Sequence, residues 1–185
     1  MENRKQEIIE VALKLIKKYG YDSFSYKDLS EIIGITKATL HHHYPKKEQL
    51  GVAVCEQLVR NGFSMYKESL GYDDARERLN YWIDALLLEV DEEANCPISS
   101  LQSQINSIPD SMANILIEIN RAERKSIIDT LILGIEQGYF LVEDVEGTAE
   151  LILYAIKGAV LYQLASKESH KEKVKEVIFS ILDKS

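Results

Sequence analysis

Apolar residues recur along almost the whole chain with the spacing of one helix face, and no stretch alternates with the two-residue period of a strand. The first apolar stripe consists of Ile8, Ile9, Ala12, Leu15, Ile16 and Tyr19. This helix is expected to end at Gly20, because glycine readily takes the left-handed conformation that closes helices. The pattern therefore predicts an all-α fold.

Three short helices are predicted before residue 50. Ser25 and Asp28 have the spacing of a capping box at the start of the second helix, which should end at Gly34. Thr36 is a suitable N-cap for a third helix, and Pro45 suits the first turn of a fourth. The apolar residues expected to face the core are Leu29, Ile32 and Leu40.

Longer helices are predicted in the rest of the chain. They span residues of about 46–69, 73–92, 109–137, 146–167 and 170–183, with a short helix between Pro97 and Pro109. By spacing alone, the short helices around Gly34 fit a helix-turn-helix and an ordinary helical hairpin equally well.

Composition and charge narrow the class of protein. No apolar run is long enough to span a membrane, and the charged N-terminus does not resemble a signal peptide. The two cysteines, Cys55 and Cys96, favour a reducing cytoplasm. The net charge is −8, yet residues 1–50 contain nine Lys/Arg against seven Asp/Glu, a net charge of +2. A mildly basic N-terminal segment on an acidic chain is compatible with polyanion binding.

The stretch IIEVALKLIKKYGYDSFSYKDLSEIIGITKATLHHHYPKKEQL resembles the DNA-binding domain of TetR-family transcriptional regulators. The resemblance implies a helix-turn-helix domain over residues 1–48 and a helical effector-binding and dimerisation domain over 49–185. Two positions depart from the family pattern. His41 stands where the family usually has tyrosine, which affects a phosphate contact or base preference, and Ile33 stands where it usually has alanine.

The histidine run at positions 41–43 is the most unusual feature of this stretch. Successive helical residues lie about 100° apart, so three neighbours cannot converge on one metal ion, and a purification tag would lie at a terminus. The resemblance makes this segment the recognition helix in the major groove, with no metal and no cofactor. The candidate DNA-binding residues are Ser25, Tyr26, Thr36, Lys37, Thr39, His41, His42, Tyr44 and Lys47.

The resemblance also implies a homodimer that binds double-stranded DNA and a small, mostly apolar effector, without a membrane. The candidate dimer-interface residues are Leu151, Ala155, Gly158, Ala159 and Tyr162. The candidate effector-pocket residues, which would fit a filled core equally well, are Phe63, Tyr66, Trp82, Leu86, Leu101, Gln104, Ile105, Met112, Leu116 and Tyr154.

Cys96 precedes Pro97 at the start of the short predicted helix, where a lowered thiol pKa would favour reactivity. Cys96 is therefore a candidate sensor thiol. Against this, nearby glutamates would raise the pKa of the thiol, and a buried structural role is the alternative. Cys55 lies in an apolar run and is expected to be packing.

No arrangement of residues typical of an enzyme is found, so the expected function is that of a ligand-responsive regulator, most simply a repressor. A helical protein–protein adaptor that has lost DNA binding is the alternative.

Overall fold

A computed structural model describes residues 2–88, 96–166 and 170–183. The helices in these segments are α1 (Glu2–Tyr19), α2 (Tyr26–Ile33), α3 (Lys37–His43), α4 (Lys47–Ser69), α5 (Ala75–Leu88), α6 (Pro97–Gln102), α7 (Asp110–Glu136), α8 (Val145–Ser166) and α9 (Lys171–Leu182). The described residues contain no β-strand beyond an isolated bridge between Phe140 and Asp183. The predicted all-α class is confirmed.

The predicted helix bounds agree closely with the structure where both are defined. Capping explains why the short helices were predictable, since their ends depend on residues within one turn. The predicted helix over 73–92 begins at Ala75 and is described to Leu88. The remainder of that prediction lies outside the described residues. None of the helices in the described segments is long and apolar enough to cross a membrane.

The chain divides into two compact units. The first unit is the described part of Met1–Asn61 and Ala94–Ile119, and the second unit is the described part of Gly62–Glu93 and Asn120–Ser185. The predicted domain boundary at residue 48 falls inside the first unit, which also takes in α6 and the start of α7.

The core of the first unit is built on the apolar stripe of α1. Five of the six predicted stripe residues are buried, whereas Tyr19 is exposed at the end of the helix. Leu29 and Leu40 are fully buried as predicted, but the prediction for Ile32 is wrong, since 57% of it is exposed. Ile33 packs against the core instead, because a residue at i+4 lies closer to the direction of Leu29 than one at i+3.

The segment around α6 is joined to α1 by polar contacts inside the first unit. The buried hydroxyl of Ser100 donates a hydrogen bond to the carbonyl of Ile16 at 2.9 Å. The backbone N–H of Tyr21 donates to the side-chain oxygen of Gln104 at 2.7 Å. The Ile16 carbonyl also accepts from the N–H of Gly20, so these bonds join the α6 segment to the turn that closes α1.

Gly51 of α4 lies against side chains of the first-unit core. A Cβ atom at that position would lie 2.3 Å from the sulfur of Met112 and 2.9 Å from the ring of Tyr21. Real Cβ atoms do not make such contacts, so a side chain at position 51 would have to displace Met112 or Tyr21.

The second unit combines an apolar core with ion pairs between its helices. Trp82, Ile127 and Ile156 represent the buried faces of α5, α7 and α8. Lys157 of α8 and Glu123 of α7 pair at 2.6 Å with most of both side chains removed from solvent. A buried charge is stable only with such a partner, so this pair fixes how α7 and α8 face each other.

Candidate DNA-binding surface and effector region

The helix-turn-helix is defined by caps that the sequence predicted. The Ser25 hydroxyl accepts from the backbone N–H groups of Lys27 and Asp28, and the Asp28 carboxylate accepts from the N–H of Ser25 at 2.7 Å. Gly34 closes α2 with φ of 74°, and its N–H bonds the carbonyl of Ser30. The capping box and the glycine turn are confirmed, and together they fix where α3 begins.

The N-terminal end of α3 uses its hydroxyls for capping. The hydroxyl of Thr36 accepts from the backbone N–H of Thr39 at 3.1 Å and shares a hydrogen bond with the Thr39 hydroxyl at 2.9 Å. Lys37 is exposed beside them. Both threonines are therefore held in one arrangement, and Lys37 is the cation that remains available at this end of the helix.

The other end of α3 is anchored by Tyr44 and Tyr26. Tyr44 caps the helix and is only 8% exposed. The Tyr26 hydroxyl donates to the carbonyl of Tyr44 at 2.7 Å, and burial raises the pKa of Tyr26 to about 12. Both residues were predicted as DNA contacts from the sequence. In the structure they hold α3 against α2, so little of the Tyr44 ring is left for DNA.

Lys47, predicted to meet a phosphate, has an internal partner. Its ammonium donates to the carbonyl of Phe24 at 2.6 Å and lies 4.4 Å from the Phe24 ring and 4.6 Å from the Tyr21 ring. Burial is the largest cause that lowers the pKa of Lys47. Its neighbour Lys46 is exposed and was not among the predicted residues. The adjacent lysines after Pro45 are the feature of the sequence that could have indicated Lys46. Only the structure shows that Lys46 is exposed while Lys47 is bonded internally.

The histidines face different surroundings. His41 and His42 are exposed, whereas His43 is half-buried. The rings of His42 and His43 meet edge to face at 5.4 Å. No group of three or more His, Cys, Asp or Glu residues within the described segments has the geometry of a metal site.

The predicted pocket residues are divided between the two units. Those of the first unit are Leu101, Gln104, Ile105, Met112 and Leu116; Leu101, Met112 and Leu116 are buried in its core. Those of the second unit are Phe63, Tyr66, Trp82, Leu86 and Tyr154. Trp82 is buried, whereas Phe63, Tyr66 and Tyr154 are exposed. Tyr154 lies on the outer face of α8 rather than in the interior.

The outer face of α8 is strongly apolar. Leu151 and Tyr162 are 58% and 68% exposed, and Ala155, Gly158 and Ala159 are partly exposed. An apolar groove of about 260 Å³ runs between α8 and α9 and includes Leu151 and Ala155 in its lining. The five predicted dimer residues thus share one face of α8, and none of them is fully buried within the unit.

The two cysteines differ in environment. Cys55 is completely buried, and burial raises its thiol pKa to about 12, as expected of a packing residue. Cys96 is half-buried against the core of the first unit, directly before α6. Its side chain does not cap that helix.

Comparison with known proteins gives the same assignment as the helix-turn-helix geometry. Residues 8–54 match the family model described as bacterial regulatory proteins, tetR family. The chain is 25% identical to the biofilm operon icaADBC negative transcriptional regulator IcaR from Staphylococcus epidermidis, and the match covers 97% of each protein. The segment that contains the helix-turn-helix therefore matches the TetR family. These relatives are described as transcriptional regulators, and the match gives no support to an enzyme or an adaptor.

Solved structures of TetR-family proteins share the fold over nearly the whole chain. A TetR-family regulator from Agrobacterium tumefaciens superposes with a TM-score of 0.92 at 24% identity, covering 99% of both chains. A TetR transcriptional regulator from Legionella pneumophila has a TM-score of 0.85 at 26% identity, covering 95% of both chains. The helices of both units are therefore those of the TetR fold.

Proposed function

We propose that this TetR-family regulator is a homodimeric, ligand-responsive repressor in which α3 reads one half of a near-palindromic operator. The observation that supports this most strongly is the presentation of α3. Capping fixes its start, Leu40 and Tyr44 bury one face, and Lys37, His41 and His42 are left exposed on the other. A helix held in this way can enter a major groove while its internal hydrogen bonds stay in place.

The contacts to DNA divide into positioning and readout. We assign Lys37 and the exposed Lys46 to phosphates, and the exposed face of α3 to base edges and adjacent phosphates. Thr36 and Thr39 act through the α3 cap, and Ser25 through the α2 cap. Tyr26, Tyr44 and Lys47 hold the geometry of the helix-turn-helix from inside.

The dimer is proposed to form through the outer face of α8 together with α9. Exposed Leu151, Tyr162 and Ile181 lie on or beside an apolar groove, and such a face is costly in water. Two copies of the chain would bring two α3 helices to half-sites about one helical turn, roughly 10 bp, or a small multiple apart.

An effector is proposed to bind among the helices that follow α3 and to change the affinity for DNA. The proposed division keeps residues 1–48 as the DNA-reading segment and 49–185 as the effector and dimerisation region. The effector acts as a repressor's inducer only if it prefers the conformation that binds DNA poorly.

We propose the cytoplasm as the site of action, since that is where a bacterial operator is found. Cys96 is proposed as a thiol that modifies the response, because it lies beside the α6 segment bonded to α1.

The test begins with selection of random duplex DNA by the purified protein, followed by fluorescence anisotropy over a salt series. We expect an inverted repeat whose affinity falls steeply with salt, because bound lysines release counterions from phosphates. Failure to enrich any sequence, with no binding at low salt, would refute the proposal.

Two charge-matched variants make the test specific. Lys37→Gln removes the exposed cation of α3 and should weaken binding and flatten the salt dependence by roughly 0.9 in log–log slope for each phosphate that is no longer neutralised. Lys125→Gln removes an exposed cation from α7 of the second unit and should leave both quantities unchanged. Equal effects of the two substitutions would show that net charge, not α3, controls binding.

A further inference from the structure

Three of the four histidines in the chain are consecutive residues of α3. We propose that DNA binding is coupled to protonation of His41 and His42, so that affinity for DNA increases as pH falls through the neutral range. The proposal rests on the proposed function, because it requires α3 to lie against DNA phosphates. It adds a regulatory input, proton concentration, that acts at the DNA-binding surface itself.

The geometry of His41 determines which protonation state can bind phosphate. Its Nδ1 lies 3.2 Å from the carbonyl oxygen of Pro45, and a carbonyl only accepts hydrogen bonds. Nδ1 must therefore carry the hydrogen, which leaves Nε2 of the neutral ring as an acceptor. A phosphate oxygen is also an acceptor, so Nε2 can bind it only after taking up a proton. The Tyr26 ring, 4.8 Å away, is a favourable neighbour for the resulting cation.

His42 and His43 have different roles. Their rings are 5.4 Å apart, which disfavours a charge on both. Burial is the main cause that lowers the pKa of His43, and the neighbouring side chains of His42, Lys5 and Arg4 act in the same direction. His43 is thus the half-buried member of the pair, whose pKa is lowered, and His42 is the exposed member that can reach a phosphate.

Five carboxylates on the neighbouring helices have hydrogen-bond or ion-pair partners away from α3. On α2, Asp28 accepts from the N-cap residue at 2.7 Å, and Glu31 pairs with a lysine one turn earlier at 3.8 Å. On α4, Glu48 accepts from a serine hydroxyl of α7 at 2.7 Å. On α1, Glu7 and Glu10 bond side chains of their own helix. Glu56 of α4 is exposed and lies close enough to Tyr44 to help raise its pKa, so phosphate oxygens are the anions that DNA adds to this surface.

Exposed cations share the surface of α3 with the two histidines in the free protein. Lys37 and Lys46 are exposed, and Tyr26 keeps its hydroxyl proton because burial raises its pKa to about 12. Bound DNA adds phosphates, which favour positive charge at the same surface. Proton uptake on binding is the thermodynamic consequence.

The size of the effect follows from linkage. A net uptake of about 0.4 proton on binding, averaged between pH 8 and pH 6, strengthens binding roughly sixfold. One responding imidazole on each α3 of a dimer then gives roughly fortyfold, and two on each give more.

The experiment measures anisotropy of a fluorescein-labelled duplex carrying the selected inverted repeat, at constant ionic strength from pH 6 to pH 8. We expect the dissociation constant of the wild type to rise at least tenfold over this range. In the variant His41→Gln/His42→Gln the rise should fall to threefold or less, while His170→Gln, at the N-cap of α9, should behave as the wild type. His41→Lys, with a permanent charge, should bind well at pH 8 and respond less to pH.

The outcomes are distinguishable. A pH-independent dissociation constant for the wild type, or an unchanged pH response in the double variant, would overturn the proton linkage while leaving DNA recognition intact. Absence of binding at every pH would overturn both the linkage and the proposed function. Circular dichroism of the double variant checks that α3 remains folded, which is expected because both positions are exposed and glutamine is a good helix former.

Discussion

Replacing Tyr26 with phenylalanine removes one hydroxyl and keeps the ring that packs against α3. The hydroxyl donates to the carbonyl of Tyr44 at 2.7 Å in a partly buried position. Its loss removes one hydrogen bond and leaves the carbonyl without that donor, a cost of about 1–2 kcal/mol in the free energy of unfolding. With a urea m-value of roughly 2–3 kcal/mol per M, the unfolding midpoint should decrease by about 0.5 M.

The assay is urea denaturation followed by circular dichroism at one fixed protein concentration, because dimer stability depends on concentration. Tyr19→Phe, at an exposed tyrosine at the end of α1, is the matched control and should leave the midpoint unchanged. DNA affinity of Tyr26→Phe should decrease only slightly, without a change in salt dependence. A variant with unchanged stability but strongly reduced DNA affinity would refute the reasoning, because the hydroxyl would then act on DNA rather than on α3.

Three further changes test other parts of the structure. Gly51→Ala should destabilise the protein by about 1–3 kcal/mol, because its Cβ would overlap Met112, whereas Gly62→Ala on the same helix has open space and should be neutral or stabilising in thermal denaturation. Leu151→Glu should shift the protein to a monomer in light scattering, and a stable dimer would contradict the α8 interface. The pKa of Asp28 is lowered by hydrogen bonds from the N-cap residue, so its contribution to stability is present above its unfolded pKa of about 4 and is lost as pH falls through the lowered value. Asp28→Asn should therefore reduce the loss of stability in acid, and an unchanged acid profile would count against the capping role.

Local features of the sequence predicted the helix-turn-helix well. Ser25, Gly34 and Thr36 act within one turn of their own position, so residue type and spacing are sufficient to place the ends of α2 and α3. The prediction that Ile32 faces the core was wrong because local features could not decide it. Two apolar residues at i+3 and i+4 compete for one face, and only tertiary packing selects between Ile32 and Ile33.

Side-chain roles were harder to predict than helix positions. Lys47 and Tyr44 have the residue types of DNA contacts, yet Lys47 bonds the carbonyl of Phe24 and Tyr44 is buried. For the proposed pocket, helical periodicity identifies apolar faces but cannot tell a core face from a cavity wall or an interface. Two members of the predicted pocket show the range of surroundings, since Met112 is buried in the core and Tyr154 lies on an exposed face.

The joining of α6 to α1 has a consequence for how the protein is made. The core of the first unit includes Leu101, Met112 and Leu116, which are translated long after α3. Until roughly residue 119 has left the ribosome, the apolar face of α1 lacks part of its covering, and the bond from Ser100 to Ile16 cannot form. A nascent or truncated chain that ends near residue 48 should therefore expose apolar surface and depend on chaperones, although it contains the complete recognition helix.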